Sequence, residues 1–161
     1  MKIIKHLLVV QVVFLFFNSS LFGQLSIPIG EKELVTNSSH IVIGKVKNLE
    51  CFWFQLGESR VICTKVFIEP ENVLKGKMER NEMVIYTPVG KLDGINMRLL
   101  GAPEYEIGER VFVFCELQKE GYFKNYGSGL GKKTIKNDLI IEDNISLQKY
   151  ISKIKSYGVK N

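Results

Sequence analysis

Residues 97–116 read MRLLGAPEYEIGERVFVFCE, and this stretch decides the fold. It starts as a strand, turns at Gly101 and Pro103, turns again at Gly108 and ends as a strongly apolar strand. Val111, Phe112, Val113 and Phe114 are β-branched or aromatic without interruption, which suits a strand buried on both faces. The glycines and the proline mark where the chain reverses. The signal is one of scaffold, not of chemistry.

Toward the N-terminus lies a long hairpin. Ile41 to Val46 (IVIGKV) opens a strand that runs on to Phe54, with Gly44 read as a bulge or bend. Gln55 to Ser59 turn the chain, and Arg60 to Glu69 return it before Pro70 ends the strand. With Gly57 at the tip, Lys45 faces Glu69, Val46 faces Ile68, Phe52 faces Ile62 and Cys51 faces Cys63. One opposite-charge pair, two apolar pairs and a cysteine pair in a single register support that pairing. Further strands are expected at Glu82 to Thr87, Ile95 to Leu100, Arg110 to Leu117 and Gly121 to Tyr126, with a short edge at Leu139 to Ile141. Gly127, Gly129 and Gly131 between them are expected to loosen the chain.

Two helices flank the strands. Glu31 to Ser39 form a short one with Leu34 and Val35 facing inward. Leu147, Tyr150, Ile151 and Ile154 recur with helical spacing, Ser146 is placed to cap the start, and Gly158 to end the helix. Ile145 and Tyr150 have the spacing of a hydrophobic staple. Short strands with peripheral helices predict a mainly β fold built on a small closed barrel of five to six strands. At 161 residues, 45% hydrophobic and 24% charged, the chain has material for one packed domain.

The first 23 residues read as a secretory signal peptide. Lys2, Lys5 and His6 make a basic start, Leu7 to Phe17 are apolar apart from Gln11, and cleavage is expected between Gly23 and Gln24. The apolar run is short for a spanning helix, and an uncleaved anchor is the alternative. The expected address is secreted or periplasmic, with residues 24–161 as the single domain and no membrane span after signal removal. Without the leader the chain is only mildly basic, its lysines scattered among glutamates, which makes no case for nucleic acid.

Catalytic material is sparse. Beyond the leader His40 is the one histidine, and Asp93, Asp138 and Asp143 are the aspartates, so no histidine-rich metal site or histidine-based acid–base pair can be assembled. No catalytic residue, metal or cofactor is assigned, and His40 is given a surface or junction role. Cys51 and Cys63, opposed in the hairpin and in an oxidising compartment, are expected to form a disulfide, two separate thiols being the alternative. Cys115 reads as a buried small residue. In GSGLGKK the spacing is not that of a phosphate loop, so a loop after a strand is the reading for Gly127 to Lys133. Glu104, Glu106 and Glu109 look like a solvated turn. Phe52, Trp53, Phe54 and Leu56 crowd the hairpin tip, where they form either a binding surface or a cover for the open end of the barrel.

The segments SSHIVIGKV (38–46), ENVLKG (71–76), EMVIYTP (82–88), LLGAPEYEIGERVFVFCE (99–116) and GYFKNYGSGLGK (121–132) carry a resemblance. Their order resembles an uncharacterised domain of secreted bacterial proteins, some of which carry it beside matrixin-type metallopeptidase domains. It is also similar to the N-terminal domain of tissue inhibitors of metalloproteinases and to the netrin module. The resemblance covers residues 34–132 and implies an OB-like barrel with a binding role rather than an enzymatic one. The animal inhibitors chelate the target's zinc through an N-terminal cysteine. Here the expected mature terminus is Gln24, and no cysteine precedes Cys51.

The expected function is a secreted, non-enzymatic binding domain whose protein partner is a secreted metallopeptidase. Its contact surface would join Gln24, Leu25, Ser26 and Ile27 to Phe52, Trp53, Phe54 and Leu56. A cell-envelope module docking to another protein or a glycan is the second reading, and a glutamate-based hydrolase the third.

Overall fold

The long hairpin dominates the computed structural model, which describes residues 29–159. Strands β1 (His40–Leu56) and β2 (Ser59–Lys75) are each 17 residues long. Gly57 and Glu58 join them in a two-residue loop, with Gly57 at φ +59, the left-handed backbone such loops need. The expected register holds near the base, where Lys45 faces Glu69 and Val46 faces Ile68. Lys47 is then an extra residue in β1, and every pair beyond it shifts by one. Cys51 faces Thr64, Phe52 faces Cys63 and Trp53 faces Ile62.

That shift overturns the expected Cys51–Cys63 pairing. Side chains alternate along a strand, so a slip of one residue sends the two sulfurs to opposite faces of the hairpin. Cys51, Cys63 and Cys115 are all free thiols. Alkylation of the denatured, unreduced protein is therefore expected to label three thiols by mass; one labelled thiol would restore the disulfide. A second difference concerns Pro70. It does not end β2 but faces Gly44 where the register shifts again, a place where a missing N–H is tolerated. A Cβ at Gly44 would come within 2.5 Å of both the Glu69 carbonyl oxygen and Ile68, so only glycine lets the strands approach there.

The remaining strands are β3 (Met83–Thr87), β4 (Gly90–Leu92), β5 (Ile95–Met97), β6 (Arg110–Leu117), β7 (Phe123–Asn125), β8 (Lys132–Lys136), β9 (Leu139–Ile140) and β10 (Ile145–Ser146). With helices α1 (Glu31–Asn37) and α2 (Leu147–Ser156) the chain is mainly β, as expected. Eight strands form one mixed sheet in the order β1-β2-β3-β7-β6-β8-β9-β10, in which β1 also pairs with β6. The β3–β7 contact is parallel and the other pairings are antiparallel. Strands β4 and β5 make a separate ribbon.

Strand β6 sits among β1, β7 and β8 and is covered on both faces, as its composition predicts: Val111 to Cys115 have no exposed surface. Its alternation builds two cores. Val111, Val113 and Cys115 pack with Val42, Val46, Val66, Ile68 and Ile85. Phe112 and Phe114 point the other way, with Ile41 and Ile43, and are covered by Leu34 and Val35 of α1 and by Leu147, Tyr150 and Ile154 of α2. Ser146 caps α2 by accepting from the Lys149 N–H at 3.4 Å, and an ion pair from Lys153 to Glu31 ties the two helices.

These cores also hold ionisable groups in their neutral form. Burial raises the Cys115 thiol above its ordinary value of 9.0. Burial, with the carboxylates of Glu31 and Asp143 nearby, raises the Tyr150 hydroxyl above 10.0. The folded chain thus holds these protons more tightly than the unfolded chain. Their stabilisation is full below the unfolded values and is lost as pH rises toward the folded ones. The urea midpoint is expected to fall progressively above about pH 9. A midpoint unchanged to about pH 11 would contradict this.

Candidate functional site

The aromatic residues of the hairpin tip divide between two faces. Alternation in β1 sends Phe52, Phe54 and Leu56 one way and Trp53 the other. On the first face β2 and β3 bring Tyr86 opposite Lys65, and the turn before β7 adds Tyr122. Tyr86 and Tyr122 stack, with ring centres 4.1 Å apart and planes 11° from parallel. Phe52 meets Tyr86 edge-on at 5.0 Å, and Phe54 meets Tyr86 and Tyr122 at 6.2 and 6.1 Å. These are the offset and T-shaped geometries that ring quadrupoles favour. Lys65 places its ammonium 4.9 Å from the Phe52 ring centre and Lys124 places its own 5.7 Å from that of Tyr122.

Phe52, Phe54 and Tyr86 are half-buried, and Leu56 is 60% exposed at the edge. The face is therefore neither a core nor a scatter of single apolar residues. A groove of about 260 Å³ runs along it, lined by Phe54, Leu56, Val61, Tyr86, Tyr122 and Lys124 among others. Cys63 lies in this lining too. Burial raises its thiol above the ordinary range, partly offset by Lys124, so the sulfur is a poor nucleophile.

Trp53 belongs to a different environment. Its indole N–H donates to Asp93 at 2.9 Å, and the Arg60 guanidinium lies 5.2 Å from its ring centre. The β4–β5 ribbon that carries Asp93 is thereby pinned to the hairpin. Of the residues expected to form a contact surface, Phe52, Phe54 and Leu56 come together, while Trp53 does not join them. Gln24, Leu25, Ser26 and Ile27 lie outside the described residues. Sequence reading missed Tyr86 and Tyr122. In MVIYT the alternation that buries Met83 and Ile85 turns Tyr86 outward, but nothing local says that it meets Phe52.

His40 is buried rather than on the surface. Its Nε2 lies 3.1 Å from the Lys77 carbonyl oxygen, an acceptor, so Nε2 carries the proton, and Nδ1 lies 3.0 Å from the Ser39 hydroxyl. The ring meets Phe123 edge-on at 4.9 Å, so the junction role holds. The glycine stretch is also tighter than expected. Ser128–Gly131 form a 3₁₀ turn clasped to the Gly101 carbonyl by Gly129 N–H and by the Ser128 hydroxyl. A Cβ at Gly131 would overlap the Tyr126 carbonyl. The lysines that follow are held in ion pairs, Lys132 with Glu109 at 2.7 Å and Lys133 with Asp143 at 3.0 Å. Glu104 and Glu106 are exposed as expected, whereas the Glu109 side chain is only 14% exposed. Among the described residues no three histidine, cysteine, aspartate or glutamate side chains gather as a metal site. No helix there is long and apolar enough to cross a membrane. No protein-family model and no curated protein matches this chain.

Proposed function

We propose that this chain is a secreted, non-enzymatic binding domain that holds a protein partner on the face formed by Phe52, Phe54, Tyr86 and Tyr122. The observation that carries the proposal is the packing of four aromatic rings, two ammonium groups and a groove on one outer surface of the sheet. Phe52, Phe54 and Tyr86 are half-buried and Tyr122 is 9% exposed, and aromatic residues, tyrosine among them, are enriched at binding hot spots. Rings already locked against one another lose little freedom on association.

The scaffold is read as a small closed OB-like barrel. In favour of this, the pairings run from β1 to β2, β3, β7 and β6, and from β6 to β1 again. The apolar cluster around Val66, Ile85 and Val113 takes residues from each of the five. On this reading, together with the resemblance to metalloproteinase inhibitors, the partner is a secreted metallopeptidase engaged by shape and not by an N-terminal cysteine. The test is chemical cross-linking of the exported protein in its envelope extract, followed by inhibition assays of what is recovered. Recovery of a metallopeptidase that the pure protein inhibits is the expected result. Recovery of other envelope proteins only would favour a docking module without a protease link.

A further inference from the structure

The groove on the aromatic face lies where two parallel strands part. Strand β3 meets β7 at one bridge, Ile85 to Phe123. Past it, Tyr86, Thr87 and Pro88 line one side and Lys124 and Asn125 the other, while the stacked rings of Tyr86 and Tyr122 span the two strands. The floor is closed, because the Thr87 hydroxyl donates to the Pro103 carbonyl at 3.0 Å. At about 260 Å³ the space falls just below the roughly 300 Å³ at which sites for drug-sized molecules begin. It matches one large side chain with its flanking backbone. Lys124 is the one charged residue in the lining, and among the described residues it makes no ion pair.

We infer that the groove receives an extended segment of an acidic partner polypeptide, seating one large apolar side chain against Tyr86 and Tyr122 and pairing an adjacent carboxylate with Lys124. The inference rests on the reading of this face as the binding surface and supplies the chemistry of the partner. Three observations favour a polypeptide of this kind. Strands β3 and β7 share only one bridge, so the groove beyond it runs along extended backbone. The apolar walls supply a pocket for alternate side chains along an extended peptide. The lone ammonium in the lining, without an ion-pair partner among the described residues, selects a carboxylate over a cation.

The test uses two capped hexapeptides, one with a central phenylalanine followed by glutamate, the other with glutamine in place of the glutamate. Each is titrated into the isotopically labelled exported protein while amide shifts are followed. The glutamate peptide is expected to shift Tyr86, Thr87, Lys124 and Asn125, and to bind about fivefold more tightly than the glutamine peptide, as one partly exposed ion pair allows. In Lys124→Gln, which alters an exposed side chain, the two peptides are expected to bind equally. Equal affinities for the unaltered protein would overturn the inference. Shifts confined to Phe52 and Lys65 would overturn the groove while leaving the face as a binding surface. Shifts away from the whole face would overturn both.

Discussion

Glu109→Ala is expected to lower the unfolding free energy by about 3 kcal/mol, far more than a surface carboxylate would. The Glu109 and Lys132 side chains are 14% and 13% exposed. One carboxylate oxygen accepts from Lys132 at 2.7 Å and from the Thr134 hydroxyl at 3.1 Å, while the other accepts from the Glu106 N–H at 3.2 Å. Lys132 also donates to the Glu104 carbonyl and lies 4.8 Å from the Tyr105 ring centre. Removing the carboxylate strands an ammonium that is mostly withdrawn from water. Its remaining neighbours are a carbonyl and a ring face, which do not replace a counter-ion. Equilibrium urea unfolding measures the loss. Adding Lys132→Met to the alanine variant is expected to return much of it, because the destabilisation comes from the uncompensated charge and not from the missing pair. A loss under about 1 kcal/mol would mean that the pair behaves as a surface one.

Phe112→Ala is expected to cost about 3–5 kcal/mol, a large share of the roughly 5–15 kcal/mol that holds a domain of this size together. Phe112 has no exposed surface. Its ring lies 5.0 Å from Tyr150, edge to face, and 5.2 Å from Phe114. The truncation opens a cavity at the seam between β6 and α2, walled by close-packed side chains that relax only in part. Amide exchange should therefore quicken first along α2, whose grip on the sheet is Leu147, Tyr150 and Ile154. A measured loss below about 1.5 kcal/mol, or exchange that quickens equally everywhere, would show that α2 is not anchored there.

The expected effects trace back to how far the sequence could be read. The FVF run of β6 and the Leu147–Tyr150–Ile154 stripe of α2 were legible because local periodicity carries their burial. The base of the hairpin was legible for the same reason, since Lys45–Glu69 and Val46–Ile68 are matched pairs. The bulge at Lys47 was not. No glycine or proline marks it, yet that one residue shifts every cross-strand pair up to the tip and moves Cys51 away from Cys63. Strand β8 was hidden because KKTIK carries lysines at positions that look solvated, and only their ion pairs with Glu109 and Asp143 draw them inward. Tyr86 and Tyr122 are 36 positions apart in sequence and meet only through the single β3–β7 bridge, a contact with no local signature.

The most direct measurement compares Phe54→Ala with Trp53→Ala, adjacent residues on opposite faces of β1. Affinity for the cross-linked partner would be measured for each variant beside its thermal unfolding. If the face formed by Phe52, Phe54, Tyr86 and Tyr122 is the contact surface, Phe54→Ala weakens binding about tenfold or more, as expected for a hot-spot aromatic. Trp53→Ala then leaves affinity within about twofold, its loss confined to the Asp93 hydrogen bond and the local packing. Both variants should still unfold cooperatively. Unchanged affinity in Phe54→Ala, or equal weakening by both substitutions, would contradict the assignment of the binding surface to that face.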